Sequence, residues 1–188
     1  MKQENLYDKK LKDMLVSEMQ RIFGEDIRRI NHAMNVLSYA LKILAKEGGN
    51  GNVVVASAIL HDIGIHEAER KYGDCSGVYQ EIEGPLIAGP ILKRTMMLDD
   101  DIKHILKIIA NHHSARDIDT LEFRILWDAD WLVNFYDLLP AFKGNKELLE
   151  EKINHIFKTV TGRTIAKTEF IINNKLIKKG GNDVLFSM

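Results

Sequence analysis

The sequence predicts an all-α, compact helical bundle, and three observations carry that prediction. Apolar residues recur at three- and four-residue spacing along almost the whole chain. Alternating β-like runs are nearly absent; Val53 to Val55 is the one β-rich triplet, and it lies inside a longer apolar run that reads as helix. Glycine clusters and acidic or hydroxyl residues stand between the periodic segments, where helices stop and start. With 188 residues, 45% hydrophobic and 28% charged, the chain is globular in composition and long enough to enclose one sizeable core. A single domain over 1–188 is therefore expected, with its core over 26–138 and additional C-terminal helices over 146–178.

Residues 8–22 carry Leu11, Met14, Leu15, Met19 and Ile22 at helical spacing and stop at Gly24. A helix over 26–46 follows, with Ile30, Met34, Leu37, Leu41 and Leu44 on one stripe. Asp26 lies in its first turn or at its cap, where negative charge complements the helix dipole. Gly48-Gly49-Asn50-Gly51 ends it. The next helix, 52–62, is apolar all round from Val53 to Leu60, which marks it as buried and central. It delivers His61 and Asp62 at its end, and Gly64 breaks it or bends it into a short helix through Ala68 and Lys71.

Residues 73–79 read as a loop. The helical segment 80–95 contains Gly84-Pro85 and Gly89-Pro90 and is expected to divide into two pieces, because an internal proline removes an amide and bends the helix. Asp99-Asp100-Asp101 caps a helix over 100–112, which ends at Asn111-His112-His113-Ser114. Thr120 is the expected N-cap of 121–138, and a last helical region covers 146–178 with an interruption at Gly162.

Net charge of -1 supplies no global field for nucleic acid or an anionic membrane; Lys175, Lys178 and Lys179 form only a local basic patch, which also complements a helix C-terminus. No apolar run approaches the roughly 20 residues of a membrane helix, and Met1 to Asn5 contain no apolar signal core. The single Cys75 allows no internal disulfide and no cysteine metal knuckle. These features read as a cytoplasmic protein with no membrane partner.

Burying a carboxylate without a partner is costly, and a metal ion or a cation makes it tolerable. Polarity therefore needs an explanation at His61-Asp62, which closes a buried helix. It needs one equally at His32, at His112-His113, and at Asp128 and Asp130 inside the apolar stretch Leu126 to Leu132. Taken singly, each has an ordinary reading. His61-Asp62 is a helix-end pair, His32 a hydrogen-bonded helix histidine, and His112-His113 a pair favoured by the helix dipole. One helix can turn only one face to a site, so a shared ion would need several helices. Imidazoles and carboxylates without thiolate suit Mn²⁺, Fe²⁺, Zn²⁺, Ni²⁺ or Co²⁺, and Mg²⁺ if fewer imidazoles bind.

The ordered set His32 … His61-Asp62 … Asp130 resembles the HD superfamily of metal-dependent phosphohydrolases. Ile59-Leu60-His61-Asp62-Ile63-Gly64 is similar to the HDIG subtype, and Ala129-Asp130-Trp131-Leu132 to the family's later ADxL segment. The resemblance spans roughly residues 28–135. It implies one divalent metal held by His32, His61, Asp62 and Asp130, with two metals as the alternative. It also implies a small phosphorylated substrate, a phosphomonoester or phosphodiester, nucleotides among them. Asp62 would be both ligand and proton acceptor, and His112 a second catalytic group. Glu83, His112, His113 and Asp128 are candidates for additional ligands or for groups behind them, and Arg70 and Lys71 for phosphate contacts. Arg116, Lys93 and His66 are further pocket candidates, and Trp127 and Trp131 read as core or pocket wall. Branches with a second metal add two histidines. The chain has His112-His113 in one of those places but Glu81 and Glu83, with no histidine, in the other. Two other activities remain alternatives: a non-catalytic nucleotide- or metal-sensing module, and a di-iron oxygenase.

Overall fold

The apolar run at the centre of the sequence is also the centre of the molecule. In the computed structural model, which describes residues 6–142 and 144–173, it forms helix α3 (Gly51–Leu60), and every residue from Val53 to Leu60 is buried. Four amphipathic helices pack around it: α1 (Lys9–Phe23), α2 (Ile27–Glu47), α6 (Asp99–Ile109) and α7 (Leu121–Asn134). Each turns an apolar stripe inward, so Leu15, Met19, Ile43, Ile105 and Leu132 are fully buried. Each such side chain stabilises the fold by about 1.5–3 kcal/mol relative to exposure. Helix α4 (Ile65–Tyr72) packs on α5 (Gly77–Leu92), and α5 lies against α6.

A 3-10 helix (Phe135–Phe142) prolongs α7. Helices α8 (Lys146–Ile156) and α9 (Val160–Ala166) follow, and a short π-helical turn (Lys167–Ile172) continues α9. Among the described residues there is no strand, and no helix is long and apolar enough to cross a membrane. The fold is thus all-α. The basic patch of Lys175, Lys178 and Lys179 lies outside the described residues.

Helix starts follow the expected chemistry. Asp26 accepts a hydrogen bond from the Arg29 amide at 3.1 Å, and Thr120 Oγ1 one from Phe123 at 3.4 Å; a cap of this kind is worth about 1 kcal/mol. Several boundaries differ from expectation: α5 already begins at Gly77, inside the expected loop 73–79, α7 ends at Asn134 rather than 138, and three further differences have a physical reason. Helix α5 is continuous through Pro85 and Pro90. Each proline follows a glycine, which has no Cβ for the proline ring to crowd, so the helix loses an amide without a steric break. Leu98 holds the N-cap position of α6, and the three aspartates fill its first turn without side-chain capping bonds. The C-terminal helical region breaks at Phe157 to Thr159 rather than at Gly162, which lies inside α9.

Two glycines set the height of α5. A Cβ on Gly64, in the turn after α3, would lie 2.4 Å from the Gly84 nitrogen and 2.8 Å from its Cα. A Cβ on Gly84 would meet Ile109 of α6 at 2.7 Å. The backbone of α5 therefore touches the turn that carries His61 and Asp62.

Candidate metal centre

Helices α2 and α7 and the end of α3 bring four polar side chains to one point. His32 projects from α2, His61 and Asp62 follow α3, and Asp130 projects from α7. The His32 and His61 Nε2 atoms are 3.2 Å apart. Asp62 Oδ2 is 3.4 Å from each of those nitrogens. Asp130 Oδ1 lies 3.1 Å from His32 Nε2 and 3.7 Å from His61 Nε2. Ligand atoms about 2.0–2.2 Å from a shared ion stand roughly 3–3.6 Å from one another, so these spacings match a common cation.

The tautomers fit as well. His61 Nδ1 lies 3.0 Å from the Ala58 carbonyl and His112 Nδ1 2.7 Å from the Ile109 carbonyl. A carbonyl only accepts, so each Nδ1 carries the proton and each Nε2 is left as a bare lone pair. His112 Nε2 is buried, has no hydrogen-bond partner, and faces Asp62 Oδ1 at 3.5 Å. A cluster of bare imidazole nitrogens and carboxylate oxygens, one nitrogen orphaned, is the donor set that a borderline divalent ion takes.

Without a cation, protons fill the role. Burial opposes charge on His61, but the Asp62 and Asp130 carboxylates outweigh it and raise its pKa to about 9. Burial acts to raise both carboxyls. His61 and His112 hold Asp62 well below the usual range, and His32 with His61 lowers Asp130. Burial and the neighbouring His112 push His113 down to about 4.

These shifts give a signed prediction for the metal-free protein. The His61 contribution to stability is complete below its ordinary pKa of 6.5 and lost as pH rises through about 9. The aspartate contributions are present above 3.8 and lost as pH falls. Metal binding must displace the His61 proton, so affinity should rise about tenfold per pH unit up to that value. Thermal melts across pH, with and without Mn²⁺, check both slopes. An affinity independent of pH would show that His61 is not a ligand.

The remaining candidates separate clearly. His113 and Asp62, with His112, form a second group within ligand distance of one another. Glu81 accepts from the His113 and Ser114 amides at 2.9 and 2.7 Å, and Gln80 Oε1 lies 3.3 Å from His113 Nε2. Four candidates are corrected. Glu83 is held by Lys71 at 2.7 Å and Tyr72 at 2.8 Å rather than left open for an ion. Lys71 is occupied by Glu83 and Glu67, and Arg70 by Glu67, so neither lines the cavity; their short helix folds its charges onto itself and α5. His66 bonds Asp26 at 3.1 Å.

Asp128 points away from the cluster. It accepts from the Lys158 amide, the Thr159 amide and the Thr159 hydroxyl, each at 2.7 Å, and thereby fixes the start of α9. On a helix, positions two apart lie on nearly opposite faces, so Asp128 and Asp130 could not share a site. Asp128→Ala should cost about 3 kcal/mol, because it strands buried donors, and should leave metal affinity unchanged. Urea unfolding and metal titration of the variant measure the two effects separately.

Sequence reasoning missed three groups. Arg28 and Arg29 line a cavity of about 350 Å³ together with His32, Asp62 and Asp130. They precede His32 by four and three positions, which places them on its face of α2. Asn134, four after Asp130, donates to Asp130 Oδ1 at 2.8 Å by the same rule. Arg29 is steered by Glu69 at 2.8 Å and Asp26 at 3.3 Å.

Fold and cluster together define an all-helical domain with a histidine–aspartate constellation that could hold a metal ion. The HD domain family model matches residues 29–134, and the chain belongs to that family. A crystal structure described as a predicted HD superfamily hydrolase, from an uncultured Thermotogales bacterium, is similar in fold with a TM-score of 0.60. It is 22% identical, and the match covers 85% of this chain and 86% of that one. No curated protein sequence matches this chain.

Proposed function

We propose that the protein is a divalent-metal-dependent phosphohydrolase with one ion per chain, held by His32, His61, Asp62 and Asp130. The observation that carries this reading is the convergence of those four side chains, with His32 and His61 3.2 Å apart and each aspartate 3.1–3.7 Å from both histidines, beside an arginine-lined cavity. Family membership and the structural neighbour support hydrolysis in general; the phosphoryl substrate is inferred from the arginines. A bound ion would supply Lewis acidity toward a phosphoryl oxygen and lower the pKa of a water.

The chain's own groups do the rest. Arg28, which makes no ion pair with any described residue, receives the phosphoryl oxygens as a charge-assisted donor, with Arg29, held by Glu69 and Asp26, beside it. Asp62 presents Oδ2 to the two histidines and Oδ1 to His112, so one carboxylate can hold the ion and accept the water proton. His112, with its proton fixed on Nδ1, offers Nε2 as the next acceptor and can return the proton to the leaving oxygen. The oxygenase reading needs a two-metal ligand set; Asp62, His112 and His113 lie within ligand distance of one another, but Glu83, which stands where the remaining histidine would, is engaged by Lys71 and Tyr72.

The test is a phosphoester panel assayed with Mn²⁺, Co²⁺, Ni²⁺, Zn²⁺, Fe²⁺ and Mg²⁺. Turnover that requires a metal and disappears in Asp62→Ala is expected. Unchanged turnover in that variant would sink the proposal.

A further inference from the structure

Two helices of the chain carry almost no polar face. One is α3, and it is buried on every side. The other is α5, whose only charged residues are Glu81 and Glu83. A helix apolar all round is normally covered all round, yet α5 is covered on one side only. Glu83, Gly84, Ala88 and Ile91 are buried against the bundle, whereas Val78, Ile82 and Leu86 are 54%, 48% and 63% exposed. Pro90 is exposed as well. These four residues stand four positions apart, which aligns them as one ridge on the outer face. At a rise of 1.5 Å per residue the ridge is about 18 Å long. It contains no charged or polar side chain.

The two ends of the ridge carry opposite charges. Asp74 is exposed just before α5, and its Oδ1 accepts from the Ser76 amide at 2.9 Å. Lys93 is exposed at the C-cap. Neither makes an ion pair with any described residue, while the adjacent Arg94 is taken by Glu18 at 2.9 Å. About Gly84 the apolar pattern is the same in both directions, and only the sign of the end charge changes. Such a surface is complementary to itself when turned through a two-fold axis, the geometry of an isologous dimer.

We propose that the outer face of α5 is the interface of a homodimer in which two copies of the helix lie antiparallel. Ile82 packs on Leu86 of the second copy and Val78 on its Pro90, while Asp74 stands beside its Lys93, and every contact occurs twice. The arrangement also sets the positive end of each helix dipole beside the negative end of the other. The cavity at the metal cluster takes only Gln80 from α5, two positions from Ile82 and so on the opposite face, and it stays open in the dimer. One helix from each copy makes a small interface, below about 1,200 Å² in total, so dissociation falls in the micromolar range. The inference concerns assembly and does not rest on the reaction proposed for the site.

Sedimentation velocity over about 1–200 µM chain, the range in which so small an interface forms and dissociates, tests it. The wild-type chain should pass from monomer to dimer across that range. Ile82→Glu and Leu86→Glu, both at exposed positions of the ridge, should each raise the dissociation constant at least about tenfold by placing a charge at the interface centre. Asp74→Lys and Lys93→Asp should each weaken the dimer by setting like charges side by side, and the double variant should regain it. Unchanged circular dichroism shows that each variant is folded. A wild-type chain that stays monomeric throughout overturns the proposal. So does a dimer unmoved by Ile82→Glu and Leu86→Glu, or one that the double charge exchange fails to restore.

Discussion

Asp130→Ala is expected to remove metal-dependent hydrolysis and to weaken metal binding by more than about 100-fold, because even groups behind the ligands contribute 10–100-fold. The carboxylate sits 3.1 Å from His32 and 3.7 Å from His61 and is oriented by Asn134. Without it, two imidazoles and one carboxylate remain around the ion. The loss should be mainly in affinity: removing the ion pair with His32 and His61 takes away some stability of the metal-free chain, but Ala129 and Leu132, both fully buried, still carry the packing of α7 on the core. Titration calorimetry with Mn²⁺, alongside circular dichroism, separates the two. Asn134→Ala should show the milder effect of a lost orienting bond, about 10-fold in affinity.

Gly64→Ala is expected to destabilise the chain by about 3 kcal/mol, the upper range for overpacking. The reason is not backbone strain, since Gly64 has φ of -80° and ψ of -8°, which any residue adopts. The added Cβ would sit 2.4 Å from a backbone nitrogen of α5, and a backbone cannot rotate aside as a side chain can. Helix α5 would have to lift from the turn carrying His61 and Asp62. Metal affinity should therefore fall with stability, whereas in Asp128→Ala stability alone should fall. Urea midpoints and Mn²⁺ titrations of the two variants, compared side by side, test whether α5 supports the site.

The helices were legible because their signals are local; the cluster was legible only through the resemblance of the ordered set His32, His61-Asp62 and Asp130 to the HD family. An apolar run with no polar face could only be the buried α3, and a His-Asp pair at its end had to find a partner. The caps at Asp26 and Thr120 were readable for the same reason. What escaped the sequence was relational. Whether a charged side chain faces the cavity or a neighbouring carboxylate depends on where helices cross. Lys71 thus reads as a phosphate contact in the sequence although α5 brings Glu83 to it, and only the spacing of Arg28 and Arg29 from His32 hints that they line the cavity. The choice between Asp128 and Asp130 was open in sequence only because it turns on the position of the Lys158-Thr159 amides, some thirty residues away.

Crystals grown with Mn²⁺, measured at its absorption edge, test the central claim most directly. The account predicts one strong anomalous peak per chain, coordinated by the Nε2 atoms of His32 and His61 and by the carboxylates of Asp62 and Asp130. A peak elsewhere, or an ion from which His32 or Asp130 is turned away, would contradict it.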